Sequence, residues 1–261
     1  MITVFTPAYN RADLLPRLYD SLKRQTCRDF EWVVVDDGST DGTEKLFENW
    51  LLQADFSIVY KKKENGGKQR AVNMGVQLAK GDIFFIVDSD DRLTDNSLET
   101  VLKWFDTIKD KEGFGGVAGL KGYSTDKIVG STFEGEYKDA TSLDRDRYNI
   151  KGDKAEVFYT EMLRRFPFPE FEGEKFVPEA LVYNRIASAG YKLRWFNEIT
   201  YITEYMADGY SANVDKLLIN NWKGYTLYVK EVVLSNMPIV SRVLIGGAWC
   251  LRGVKRLCRK Y

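Results

Sequence analysis

The chain has 261 residues, enough to bury one large core with a smaller lobe, and its 38 Lys and Arg balance its 38 Asp and Glu. No global charge therefore points to nucleic acid as a partner. No histidine is present, which excludes His-based triads and His-ligated zinc; Cys27, Cys250 and Cys258 have no metal-type spacing, and their odd number argues against a disulfide framework.

Ile2-Thr3-Val4-Phe5 reads as a short strand, entered without the basic stretch and apolar core of a signal peptide, so a cytoplasmic protein is expected. Leu15, Leu18 and Leu22 recur at helical spacing, with Pro16 in the first turn after an Asp13 cap. Trp32-Val33-Val34-Val35 is a continuous β-branched run, as in a parallel strand buried on both faces. Asp41 and Glu44 form a capping pair for a helix whose apolar face is Leu46, Phe47 and Trp50. Ser57 to Tyr60 is a third strand, and Ala71, Met74, Gly75 and Leu78 mark a helix that stops at Gly81. Ile83 to Val87 is a fourth strand, Leu98, Val101, Leu102 and Phe105 a further helix, and Gly116 to Leu120 a fifth strand. Alternation of this kind predicts an α/β layer around a mostly parallel sheet.

Ligands of open α/β sheets bind at the carboxyl ends of the strands. Polar clusters fall at these ends: Thr6-Pro7-Ala8-Tyr9-Asn10, Asp36 to Asp41, Glu64-Asn65-Gly66-Gly67-Lys68 and Asp88-Ser89-Asp90-Asp91. Three carboxylates closing a buried strand repel one another unless something positive sits there. A divalent cation holding a phosphate suits such hard oxygen ligands, although the same residues are also good turn formers. The dinucleotide Gly-x-Gly-x-x-Gly and the P-loop signature are both missing. Taken singly, each residue keeps two readings. Tyr9 stacks on a flat base or fills a groove; Asp37 accepts from a base N–H or binds its own backbone; Lys68 meets a phosphate or is simply solvated.

Together, Val4 to Asn10, Phe30 to Thr43, Asn65 to Gly75 and Asp82 to Asp91 resemble the family-2 glycosyltransferases. The resemblance covers most of residues 1–100. It implies a GT-A fold, a Rossmann-like, mostly parallel sheet flanked by helices, here with a C-terminal helical extension. It also implies a nucleotide-sugar donor, most often a UDP-sugar, transferred with inversion. Pro7, Tyr9, Asp37, Lys68, Asp88 and Ser89 are then the expected donor-binding residues, Tyr9 as the uracil-stacking aromatic and Asp37 as the uracil-contacting acid. Asp88 and Asp90 are the expected ligands of Mn²⁺ or Mg²⁺, which would stabilise the diphosphate leaving group.

Beyond about residue 120 the alternation ends and aromatics thicken, from Phe133 and Tyr137 through Phe158, Phe166 and Phe171. They read as core or as a sugar platform. Many relatives open a helix here with a Glu-Asp pair that supplies the catalytic base. This chain has Glu179-Ala180, so Glu179 is the expected base, with Glu172 and Glu174 in reserve. Relatives also often carry a metal-binding histidine some 25 residues further on. Glu204 or Asp208 is its expected stand-in, or water, in a stretch that equally suits a flexible lid.

Residues 1–120 thus form the expected nucleotide-sugar half and 121–205 the acceptor half of one domain, followed by a lid and terminal helices over 206–261. Ile239 to Leu251 is apolar but interrupted by Arg242, and basic residues follow it, which suits a helix lying on a membrane surface as well as one packed on the domain. The expected protein is a metal-dependent inverting glycosyltransferase of polysaccharide biosynthesis, peripheral on the inner face of the plasma membrane. Its acceptor would be a saccharide or lipid-linked saccharide. A sugar nucleotidyltransferase and a non-catalytic nucleotide-sugar-binding scaffold are the alternatives.

Overall fold

The computed structural model describes residues 1–204 and 213–258. Its first half builds a parallel body from β1 (Ile2–Ala8), β2 (Phe30–Asp36), β3 (Ser57–Lys62) and β4 (Ile83–Ile86), in the order β3-β2-β1-β4. The helices α1 (Leu15–Lys23), α2 (Thr43–Gln53) and α3 (Lys68–Leu78) make the crossovers. Every residue of β2 is buried, as a strand covered on both faces requires.

Period-two alternation sends side chains into two layers. Val4, Trp32 and Val34 face the layer of α1, α2 and α4 (Ser97–Asp106), meeting Leu18, Phe47 and Val101. Phe5, Val33 and Val35 face the layer of α3, α5 (Thr160–Arg165) and α6 (Ala180–Ser188), meeting Val72, Leu163 and Val182. At the amino ends of the strands, away from the polar clusters, buried Glu31 accepts from Thr3 Oγ1 (2.7 Å) and from the backbone N–H of Lys80 (2.6 Å) and Gly81 (3.2 Å). This carboxylate fastens the α3–β4 turn to β1.

The second half is more strand-rich than its sequence suggests. It adds β5 (Arg92–Leu93), β6 (Phe114–Gly122), β7 (Tyr137–Ala140), β8 (Lys154–Tyr159) and β9 (Lys192–Ile202) to the same nine-stranded sheet. β8 inserts antiparallel between β4 and β6, while β6 and β9 run parallel. Most of the aromatics settle as core: Phe158 and Phe168 are buried and Phe133 and Phe166 pack beside them, while Tyr137 and Tyr148 stay exposed.

Two helix starts differ from expectation. Leu14, not Asp13, precedes α1, and the first turn is tied instead through the Arg11 carbonyl, which accepts from Leu14 and Leu15. Asp41 does accept from the Thr43 N–H (3.0 Å), but Glu44 pairs with Lys62 (2.7 Å) rather than reaching back. All three cysteines are free.

The chain then forms α7 (Val214–Asn220), α8 (Trp222–Leu234) and α9 (Ile239–Cys258). One face of α9 packs on this small cluster: Trp249 stacks on Trp222, and Arg252 bonds Asp215 (2.6 Å) and the Tyr225 hydroxyl (3.0 Å). The opposite face, with Val240, Val243, Leu244, Leu251 and Val254, is exposed.

Close contact between α3 and β1 needs a glycine: a Cβ on Gly75 would lie 2.1 Å from the Phe5 ring. Gly75→Ala should therefore lower stability by about 1–3 kcal/mol, the usual cost of overpacking, measured as a fall in the urea midpoint at unchanged m-value.

Candidate functional site

The carboxyl ends of β1, β2 and β4 and the first turns of α3 and α6 open into one cleft of about 750 Å³. Pro7, Tyr9, Asp37, Lys68, Asp88, Ser89, Asp90 and Glu179 all line it, so the structure brings the expected donor-binding residues, the expected metal ligands and the first-choice base together.

At one end Tyr9 stands 48% exposed on the rim. It is followed by Asn10, held at φ 52°, a left-handed conformation that asparagine tolerates. The Asn10 N–H donates to Ser39 Oγ (2.9 Å) and its side-chain oxygen accepts from the Thr40 N–H (2.8 Å), which joins the β1 and β2 loops. Asp37, beside them, is not an open ligand. Its carboxylate accepts from the N–H groups of Gly66 (2.9 Å) and Gly67 (2.7 Å) and pairs with Lys63 (2.5 Å). A carboxylate has about four acceptor positions, so roughly one is left for a base N–H. The turn it clamps needs its glycine: Gly67 has φ +96°, and a Cβ there would fall 1.9 Å from the Lys175 carbonyl oxygen.

That turn delivers Lys68 into the acid cluster. Its ammonium lies 2.5 Å from Asp88 and 2.8 Å from Glu179. Burial works against the charged lysine, but the two carboxylates overcome it and hold the group protonated. Burial likewise opposes an ionised Asp88, yet Lys68 and Lys121 pull its carboxyl below the usual range. Asp90 moves the other way, raised by burial and by the charge of Asp88. Asp91 is pushed up to about 6 for the same reasons. It is a scaffold rather than an open ligand: it accepts from the Tyr201 hydroxyl (2.7 Å) and the Glu204 N–H (3.1 Å), and that hydroxyl accepts from the Asp88 N–H (2.9 Å).

The three candidate bases separate cleanly. Glu179 stands at the start of α6, inside the cleft. Glu174 is buried beneath the start of α8, where it accepts from the N–H groups of Lys223 (2.7 Å) and Gly224 (2.9 Å); it caps a helix. Glu172 is exposed outside the cleft. Glu204 reaches the rim, where its carboxylate pairs with the guanidinium groups of Arg17 (2.8 Å) and Arg92 (2.9 Å). Asp208 and the expected lid lie outside the described residues. The wall beyond Glu179, which the sequence did not reveal, carries Lys121, Arg145, Lys154, Glu156 and Tyr183. Arg145 pairs with Glu156 (3.3 Å), and burial, followed by Arg145, pulls Lys154 down to about 8.

Among the described residues no three acids form a ready-made metal cage. The donor set of Asp88 and Asp90 is all hard oxygen, and their proximity disfavours a second negative charge. Two carboxylates of this kind fit Mg²⁺ or Mn²⁺ in the way such ions usually bind, through one or two acids with substrate phosphates completing the shell.

A model of glycosyl transferase family 2 matches residues 3–199, and the chain belongs to that family. It is 36% identical over 101 residues to the glycosyltransferase GlyG of Streptococcus pneumoniae, an alignment covering 39% of this chain and 34% of that protein. It is 30% identical over 146 residues to a poly(ribitol-phosphate) beta-glucosyltransferase of Bacillus spizizenii, covering 55% of this chain and 23% of the relative. The chain thus spans about a third or less of these relatives' length. The fold resembles S. aureus TarS 1–349 in complex with UDP-GlcNAc, with a TM-score of 0.71 at 19% identity, over 96% of this chain and 72% of that one. It also resembles the mannosyltransferase PcManGT of Pyrobaculum calidifontis in complex with GDP-Man and Mn²⁺, with a TM-score of 0.63 at 22% identity, over 95% and 68%. The nine-stranded sheet with its flanking helices is accordingly the GT-A fold.

Asp37→Ala should leave the Gly66 and Gly67 amides without their acceptor and cost about 1–3 kcal/mol. Faster hydrogen exchange at those two amides, with the β-sheet core unchanged, is the expected readout.

Proposed function

We propose that the protein transfers a sugar from a UDP-sugar to a saccharide or lipid-linked saccharide acceptor, with inversion and with the help of a divalent cation. The observation that carries this reading is the shared cleft in which the acid cluster after β4 and Glu179 lie on either side of one lysine. In this reading residues 1–120 hold the donor and 121–205 the acceptor. The presence of UDP-GlcNAc in the TarS structure, a fold neighbour, favours the donor class.

Tyr9 offers its exposed ring to the uracil, and the remaining acceptor position of Asp37 suits a base N–H. Ser89 and Pro7 shape the adjoining wall. Lys68 presents its charge to the diphosphate, which gives the ammonium a third anionic neighbour. Asp88 and Asp90 would hold the divalent cation, which when bound would stabilise charge on the leaving diphosphate. Glu179 takes the proton from the acceptor hydroxyl as that oxygen bonds to the anomeric carbon; the sugar–phosphate electron pair leaves with the diphosphate. Lys68, 2.8 Å from Glu179, holds that carboxylate in place until the acceptor arrives.

Calorimetry in Mn²⁺ should show UDP binding more tightly than GDP. Glu179→Gln should keep that binding and lose roughly 100- to 10,000-fold in transfer, the usual contribution of a positioned base. Glu174→Gln should instead lower thermal stability with transfer retained in the folded fraction. Equal transfer by wild type and Glu179→Gln would remove the assigned base.

We further propose that α9 lies on the anionic inner face of the plasma membrane. No helix among the described residues is long and apolar enough to cross a membrane. Residues 239–261 contain no Asp or Glu but carry Arg242, Arg252, Lys255, Arg256, Arg259 and Lys260. An exposed aliphatic arc on an acid-free basic helix suits an interface of negative lipid. Co-sedimentation with phosphatidylglycerol vesicles, weak or absent with phosphatidylcholine and lost in Leu244→Glu/Leu251→Glu, is the expected result. A dimer in solution that the same substitutions dissolve would reassign the surface to a second copy of the chain.

A further inference from the structure

Lys121 stands near the end of β6, in register with Tyr201 of β9. Its ammonium lies 3.9 Å above the Tyr201 ring centroid. The hydroxyl of that same ring holds both the Asp88 N–H and the Asp91 carboxylate. One aromatic side chain therefore fixes a cation and the acid cluster relative to each other. A ring face positions an ammonium without cancelling its charge.

The other cations of the cleft are engaged. Lys68 sits between Asp88 and Glu179, Arg145 pairs with Glu156, and Lys154 donates to the carbonyls of Val129 (3.1 Å) and Lys151 (2.5 Å). Arg11 donates to the Asn10 carbonyl (3.3 Å). Lys121 is half-buried, and among the described residues its ammonium has no carboxylate at ion-pairing distance. A half-buried ammonium seated on the ring that bonds the acid cluster is placed for an anionic ligand.

We propose that Lys121 is a further substrate-binding residue, whose ammonium meets a diphosphate oxygen of the sugar donor beside the acid cluster. This rests on the donor reading above. The diphosphate gains a negative charge as the sugar–phosphate bond breaks, and a fixed cation at that point stabilises the departing group more than the bound substrate.

The test uses the full chain in Mg²⁺ with inorganic pyrophosphate, UDP and uridine as separate probes. Lys121→Met should bind pyrophosphate and UDP about 10-fold or more weakly, as loss of a charge-assisted hydrogen bond implies, with uridine binding unchanged. Lys121→Arg should restore most of the loss, and Lys121→Gln serves where the methionine variant does not fold by near-UV circular dichroism. Unchanged pyrophosphate affinity in the folded variant, a parallel loss for uridine, or no pyrophosphate binding by wild type overturns the proposal. Wild type that binds pyrophosphate as tightly as UDP would instead sink the uridine part of the donor reading, with Lys121 still judged on pyrophosphate alone.

Discussion

A single half-buried ammonium, that of Lys68, lies between the acid that closes β4 and the acid that opens α6, and the cleft is organised around it. It bridges the two carboxylates and, with Lys121, holds the Asp88 carboxyl below the usual range against the cost of burial. Its position is in turn inherited from Asp37, which clamps Gly66 and Gly67 and so aims the first turn of α3. The order of dependence runs from β2 to the glycine turn, then to the lysine, then to both acids. A residue expected to touch substrate thus has a prior structural task.

This double use explains why the first half of the chain was legible. Its strands are buried on both faces and read as unbroken apolar runs, and its loops hold residues with few other reasons to occur, such as paired glycines before a lysine. All of the expected site residues from that half converge. The second half obscures its strands. β9 mixes Arg194, Asn197 and Glu198 with Leu193, Trp195 and Tyr201, because Arg194 is neutralised by Asp139 and Glu198 reaches Trp104 and Lys103. Those partners lie far off in sequence, so the alternation that does exist was hidden. Lys121 and Tyr201 were missed with it.

The acids of the 171–179 segment illustrate a different limit. Glu172, Glu174 and Glu179 look interchangeable in sequence, and only tertiary contacts distinguish a solvated acid, a helix cap and a cleft residue. The same holds for Glu204, whose two arginine partners come from α1 and β5. Spacing fixes which residues share an element. It does not say which charges are already spent.

The insertion of β8 between β4 and β6 has a consequence for how the molecule can be assembled. β4 and β6 are complete by Gly122, yet the strand that joins them is not made until Lys154. Until then both carry an unpaired edge of exactly the kind that sticks to other chains. Pairings so distant in sequence also form late and slowly. The two halves of the sheet therefore cannot be cut apart near residue 120 and recombined with those of relatives. A working chimaera would have to take β8 together with the strands on either side of it, so the cleft wall that β6 and β8 carry is inherited only with the sheet.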